Sequence, residues 1–299
     1  MESINRKDLS TEKQNQRSLN LDELSTIDIL KLINDEDLAI PKKITSSLKQ
    51  IEDTVDICVR SLRSGGRIFY IGAGTSGRLG VLDASEIPPT FSAPNGLFTG
   101  IIAGGDEALK NSVEGAEDSS SQAIIDLKEH NIKKDDVLIG ISSSGAARYV
   151  QSALDYARSI DCKTAYMICN KTPFLSVETD VIISVDTGPE LITGSTRMKA
   201  GTATKMILNM ISTAVMVKLG KVYGNLMIDL MAVNDKLIDR ATRIVSQLAK
   251  VDEVEAKKAL IDSGMSVKTA VVMIHCSVDR DSANKVINEN KGMLRKIIS

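Results

Sequence analysis

Residues 67–91 read RIFYIGAGTSGRLGVLDASEIPPTF. The opening run, Arg67-Ile68-Phe69-Tyr70-Ile71, is short, apolar and rich in β-branched and aromatic residues, which predicts a buried strand. It runs into Gly72-Ala73-Gly74-Thr75-Ser76-Gly77, a glycine-rich turn, after which Leu79 and Leu82 fall at helical spacing over residues 78–85. Strand, glycine turn and helix start together make an anion site. Small residues let backbone N–H groups approach a phosphate, the helix N-terminus carries partial positive charge, and Thr75 and Ser76 add hydroxyl donors.

GAGTSG also fits the dinucleotide fingerprint G-x-G-x-x-G. That fingerprint needs an acid about 20 residues on, at the end of the second strand, to hold a ribose. Here the corresponding region is Pro94-Asn95-Gly96, and the next strand, over residues 97–103, meets its first acid only at Asp106. The hydroxyls at Thr75 and Ser76 suit a phosphomonoester better.

Outward from this stretch, strands and helices alternate. Residues 67–71, 97–103, 137–142, 164–169 and 181–185 read as strands with helical segments between most of them, which predicts an α/β fold, a parallel sheet with helices on both faces. Ligands of such sheets sit beyond the carboxyl ends of the strands. A second hydroxyl-rich turn occurs at that position: Gly140-Ile141-Ser142-Ser143-Ser144-Gly145, ahead of a helix with Val150, Leu154 and Ala157 on one face. A serine N-cap alone would explain one such turn; two together point to phosphate recognition.

Upstream, residues 1–20 read as a tail, followed by a short helix over 27–34 capped by Ser25 or Thr26. A helix from Pro41 to Gly65 carries Ile44, Leu48, Ile51, Val55, Cys58 and Leu62 as one buried stripe. Downstream, Thr193-Gly194-Ser195-Thr196-Arg197-Met198-Lys199 is a further small-polar loop bearing two cations. It leads into a buried helix over 205–219, and another helix is expected over 226–248. From Val251 the pattern changes to short amphipathic helices, so the expected divisions are 1–66, 67–250 and 251–299.

Composition narrows the function. A net charge of −2 without a basic block argues against nucleic acid as partner. The stretch 206–219 is interrupted by Asn209, Ser212, Thr213 and Lys218 and too short to span a bilayer, and the polar N-terminus lacks a secretory h-region, so a cytoplasmic protein with no membrane partner is expected. Cys58, Cys162, Cys169 and Cys276 are scattered without C-x-x-C, as in reduced proteins, and the isolated His130 and His275 argue against a zinc site or a Ser-His triad. The chemistry therefore falls to carboxylates, hydroxyls, Lys and Arg. Two acids stand near the expected site: Glu86, placed in a loop ahead of Pro88-Pro89, and Glu117 in EGAEDS.

GAGTSGRLGVLDASEIPPTF (72–91), AGG (103–105), VEGAEDS (113–119) and TGSTRMKAGTATKMILNMISTA (193–214) resemble the N-acetylmuramic acid 6-phosphate etherases of the sugar-isomerase (SIS) superfamily. The stretch 11–41 and the helical tail, including GMSVKTA (264–270), match as well, so the resemblance covers nearly the whole chain. It implies an SIS-type doubly wound fold with a small ubiquitin-associated-like helical module, a homodimer, and cleavage of the lactyl ether of a sugar-phosphate substrate without metal or other cofactor. Products would be N-acetylglucosamine 6-phosphate and D-lactate, within cell-wall recycling. Glu86 aligns with the family's acid/base residue in D-A-S-E-x-P-P, and Glu117 with its second catalytic glutamate. One departure is Ala146-Ala147-Arg148-Tyr149, where the family usually shows Arg-Thr-Pro-Tyr.

On this reading Gly74, Thr75, Ser76, Ser142, Ser143 and Ser144 bind the phosphate, and Arg197 or Lys199 meets the lactyl carboxylate. Glu86 serves as proton donor to lactate with Glu117 as partner base, one of the two raised in pKa by burial. A non-catalytic SIS sensor would keep the serines and dispense with the acids. An aldose–ketose isomerase would lack the E-x-P-P and TGSTRMKAGT motifs, and an SIS regulator binding DNA would need a basic N-terminus.

Overall fold

The computed structural model describes residues 6–230 and 234–298. Five parallel strands, β1 (Ile68–Gly72), β2 (Phe98–Ile102), β3 (Val137–Ser142), β4 (Lys163–Ile168) and β5 (Val181–Ser184), form a sheet of order β2-β1-β3-β4-β5. Two further strands, β6 (Val222–Tyr223) and β7 (Leu226–Met227), form an antiparallel hairpin. The helices are α1 (Thr26–Leu38), α2 (Ile40–Ile44), α3 (Leu48–Arg63), α4 (Gly74–Phe91), α5 (Glu107–Lys110) and α6 (Ser120–Glu129). They continue with α7 (Arg148–Ser159), α8 (Lys199–Lys218), α9 (Asp235–Ala249), α10 (Glu253–Asp262), α11 (Val267–Cys276) and α12 (Arg280–Glu289).

The chain divides into two compact units. One comprises the described residues through Ser85 with Gly96–Ser212; the other comprises Glu86–Asn95 and the described residues from Thr213 on. In the first, every residue of β1 and β3 is buried, as parallel strands covered on both faces require. Phe69, Ile71, Leu138, Tyr166 and Ile168 pack with Leu127 of α6 and with Tyr149, Val150 and Leu154 of α7. On the other face α3 contacts β1, β3 and β5, burying Ile51, Val55 and Cys58 of the expected stripe. Burial of a single such aliphatic side chain contributes about 1.5–3 kcal/mol, so these stripes hold the layers together.

The second unit has its own core, with Ile244 and Val245 of α9, Leu260 of α10, Val271 of α11 and Ala283 of α12. It begins well before Val251 and includes α9 and the hairpin. The helix expected over 226–248 starts only at Asp235; Gly224, with φ +59°, sits in the turn between β6 and β7 instead. Residues 231–233 of that expected helix lie outside the described residues.

Other expectations are corrected as well. Of the expected tail, residues 1–5 lie outside the described residues, but Leu9 and Thr11 are buried and Thr11 N–H donates to Asn170 Oδ1 at 3.3 Å. The helix from Pro41 is interrupted by a tight turn at Thr45–Ser47 before α3. Glu86 lies in no loop: α4 continues through Pro88 and Pro89. Those rings remove N–H donors to the carbonyls of Ala84 and Ser85, but their preset φ is helical and they stand close to the helix end. The helix expected over 205–219 starts six residues earlier, as α8, and more than half of its most apolar window is buried.

Candidate functional site

The strand order reverses direction between β1 and β3, and in open α/β sheets that is where the crevice opens at the carboxyl ends. The two hydroxyl-rich turns leave these two neighbouring strands. They line one cleft of about 150 Å³: Gly74, Thr75 and Ser76 from the first, Ser142, Ser143 and Ser144 from the second, with Glu117 and Thr196. A second cleft of about 220 Å³ adjoins it, sharing Ala73, Gly74 and Glu117 and adding Arg78 and Glu114. Side by side they reach the roughly 300–1,000 Å³ typical of small-ligand sites. A larger groove of about 630 Å³ in the helical unit, along α9 and α10, is lined by mixed Asp, Lys and aliphatic side chains such as Asp239, Lys257 and Val254. Donor chemistry, not volume, selects the cleft at the sheet.

The first turn owes its shape to glycine. A Cβ on Gly77 would lie 2.6 Å from the Gly72 carbonyl oxygen and 2.6 Å from Ile102 Cγ1, so only glycine lets α4 leave β1 this closely. The helix therefore begins at Gly74 itself, and its first N–H groups are without intrahelical acceptors at the end where Gly74, Thr75 and Ser76 line the cleft. Asp83, 3% exposed, anchors α4 behind the turn. It accepts from Tyr70 Oη at 3.2 Å and from Lys205 Nζ at 3.3 Å.

The second turn is held from outside. The Ser143 carbonyl accepts from Cys169 N–H at 2.8 Å and from Asn170 Nδ2 at 3.0 Å, while the Gly145 carbonyl accepts from Leu175 N–H at 3.0 Å and Gln151 Nε2 at 2.7 Å. Gly145 has φ +73°, and a Cβ there would fall 2.7 Å from Pro173 Cα. Gln151 Nε2 also donates to Tyr166 Oη at 3.3 Å. Burial pushes the Tyr166 phenol up to about 12 against the hydrogen bonds from Gln151 and Ser142, so it stands neutral behind Ser142.

The loop before α8 brings Thr196 to the cleft, which sequence reasoning missed by choosing the cations beside it; the only signal was its place in a run of small polar residues. Arg197 is exposed and outside the cleft lining. Lys199 does not reach the cleft: it is 5% exposed and its Nζ is paired with Glu36. Desolvation would raise the Glu36 pKa, but hydrogen bonds and charge from Lys199, with Asn15 and Arg17, outweigh it and hold the carboxyl below its ordinary value. Glu190, fully buried, caps α8 by accepting from Lys199 N–H at 3.0 Å and Ala200 N–H at 2.9 Å; burial raises its pKa against those bonds.

Of the two expected catalytic acids, Glu117 joins the serine turns, on a short turn (Ala116–Asp118) entered through Gly115 at φ +74°. Glu86 is outside that lining and lies in the stretch that groups with the helical unit. Both side chains are exposed, so the burial expected to raise one of them is not present in the single chain.

Comparison with known proteins adds the family. Residues 50–158 match the model of the glucokinase regulatory protein N-terminal SIS domain, and 224–270 that of the C-terminal lid domain of glucokinase regulatory protein. Similar solved structures include a phosphoheptose isomerase from Francisella tularensis (16% identical, TM-score 0.48, covering 64% of this chain and 98% of that one). Another is the phosphoheptose isomerase of Neisseria gonorrhoeae (15% identical, TM-score 0.45, covering 64% and 99%). The N-acetylmuramic acid 6-phosphate etherase of Clostridium beijerinckii is 46% identical over 100% of this chain and 98% of its own length. That of Pectobacterium atrosepticum is 47% identical over 99% and 98%. With likeness of this degree from end to end, the chain belongs to the N-acetylmuramic acid 6-phosphate etherases, a family of carbon–oxygen lyases.

Proposed function

We propose that the chain splits the D-lactyl ether of N-acetylmuramic acid 6-phosphate by elimination followed by hydration, releasing D-lactate and N-acetylglucosamine 6-phosphate. The observation that carries this reading is the placing of Glu117 in one cleft with residues of both hydroxyl-rich turns. The turns hold the substrate phosphate through Gly74, Thr75, Ser76 and Ser142 to Ser144, and this remote binding energy orients the sugar. Opening of the sugar ring exposes an aldehyde that acidifies the proton on the acetamido-bearing carbon. Glu117 takes that proton, Glu86 protonates the departing lactate oxygen, and water then adds to the unsaturated aldehyde at the former ether carbon. Support for Glu86 is its place in the DASEIPP motif. Arg197, exposed on the same loop as Thr196, is the cation left for the lactyl carboxylate, since Lys199 is spent on Glu36. Work as a homodimer in the cytoplasm, in recycling of cell-wall amino sugar, completes the proposal; its support is membership of the family.

Reaction in water carrying deuterium and heavy oxygen tests the route. Deuterium at the acetamido carbon and heavy oxygen at the former ether carbon of the sugar product are expected. Heavy oxygen in the lactate would instead show displacement on the lactyl carbon. Glu86→Ala is expected to stop lactate release while substrate still binds; release at the native rate would remove Glu86 from the mechanism. The match to the regulatory protein's SIS domain favours one rival, a sugar-phosphate sensor, which would bind substrate and release no lactate at all.

A further inference from the structure

Arg78 lies on α4 two residues beyond Ser76, and among the described residues its side chain turns to backbone carbonyls rather than to an acid. Its Nε donates to the Leu109 carbonyl at 3.2 Å and its Nη2 to the Asn111 carbonyl at 2.8 Å. These carbonyls belong to the end of the one-turn helix α5 and to the residue after it, where a helix leaves its carbonyls unpaired. A guanidinium presents a rigid planar fork whose separate nitrogens meet two such acceptors at once, whereas an ammonium must serve both from one nitrogen on a flexible stem.

From Asn111 the chain runs through Ser112, Val113, Glu114 and Gly115 without regular structure to the turn that carries Glu117. The far end of this segment is held by Ala116, packed against the sheet core. The near end is held by Arg78. Thus one side chain ties the helix whose N-terminus forms the phosphate turn to the loop that delivers the carboxylate, and Arg78 and Glu117 line the same 220 Å³ cleft.

We propose that Arg78 is a positioning residue for this reaction: it sets the Glu117 carboxylate relative to the phosphate turn. The proposal rests on the reading of Glu117 as the base. Phosphate held at Gly74 to Ser76 and the carboxylate are then parts of one braced frame, with α4 as the rigid member. Removal of the brace leaves phosphate binding intact and lets the carboxylate wander, and misplacement of a reacting group by about 1 Å costs on the order of 100-fold in rate.

Steady-state kinetics of Arg78→Ala, Arg78→Lys and Glu117→Gln, with the double variant Arg78→Ala/Glu117→Gln, test this, alongside thermal melting and inhibition by inorganic phosphate. Arg78→Ala is expected to lower kcat by roughly 10- to 100-fold. The phosphate inhibition constant should stay within about twofold, and Arg78→Lys should recover only part of kcat. In the Glu117→Gln background, where residual lactate is followed over long incubation, Arg78→Ala should change the rate less than about threefold, because groups that act as one unit are not additive. Equal losses in both backgrounds, or phosphate inhibition weakened as much as kcat, would overturn the positioning role and leave the Glu117 reading standing. Native kcat in Glu117→Gln would overturn both. If Arg78→Ala does not fold, Arg78→Lys decides by the same split between kcat and phosphate inhibition.

Discussion

The two turns that line the cleft look alike in sequence, GAGTSG after β1 and GISSSG after β3, yet they are built differently. The first is made by its own neighbours: Gly77 packs against Gly72, α4 starts at Gly74, and the first residues of that helix line the cleft. The second is suspended. Helix α7 does not begin until Arg148, and the carbonyls of Ser143 and Gly145 are held by Cys169, Asn170, Leu175 and Gln151. Asn170 is itself bonded by Thr11, 159 residues before it, whose backbone N–H and Oγ1 meet its amide, so the N-terminal segment braces the second turn through Asn170. The lesson is that equal ligand chemistry does not imply equal support. A turn made by local sterics fails through its own residues, and a suspended turn fails through the distant groups that hold it.

The contrast can be broken most severely at Gly77. Gly77→Ala forces a Cβ onto backbone and Ile102, with no flexible atom to give way against the carbonyl. A loss of about 3 kcal/mol is expected, near the upper end for overpacking, with a fall in Tm of roughly 6–12 °C by thermal melting. A melt unchanged from native would show that the first turn tolerates a side chain and is not sterically made.

The outer wall of the cleft, carried by the loop before α8, belongs with the suspended type, since Glu36 of α1 holds Lys199 there. Lys199→Met should cost about 2–3 kcal/mol by leaving Glu36 with only Asn15 and Arg17. Because the Glu36 pKa is lowered on folding, its contribution is complete above the ordinary value of 4.5 and is lost as pH falls through the folded value. The Tm difference between Lys199→Met and native protein should therefore be largest near neutrality and shrink below pH 4.5. A difference that grows on acidification would contradict the pairing.

The finest test is Gln151→Leu. It leaves the Gly145 carbonyl to Leu175 alone and should cost about 1 kcal/mol in stability. In the suspended turn this small loss ought to appear in binding, as a several-fold weaker inhibition by inorganic phosphate with kcat little changed. Equal weakening of binding and kcat would mean the second turn is not independently adjustable.

Local rules placed the five strands of the parallel sheet to within a residue or so, because β-branched apolar runs between glycines have few other uses, but missed the β6–β7 hairpin. They failed at Glu86, where Pro88-Pro89 suggested a loop: two prolines near a helix end cost little, and the pattern does not tell a last turn from a break. They failed again at residues 6–20, whose polar composition hides the burial of Leu9 and Thr11 against partners far along the chain. At the cleft, the hydroxyl turns and Glu117 were legible, while Thr196 and Arg78 were not.

By itself the sequence determined the parallel α/β sheet, the glycine-shaped first turn and the second serine turn, since these rest on spacing and sterics between near neighbours; the family was legible only through the likeness of its long motifs. Only the tertiary structure decided which polar residues face the cleft and which are spent on support. Thr196 in the loop and Lys199 at the first position of α8 are three residues apart; the lysine is buried against Glu36 and the threonine opens on the cleft. The reason is that a charge finds its partner through space, and that partner, here on a helix 163 residues upstream, is invisible to any local pattern.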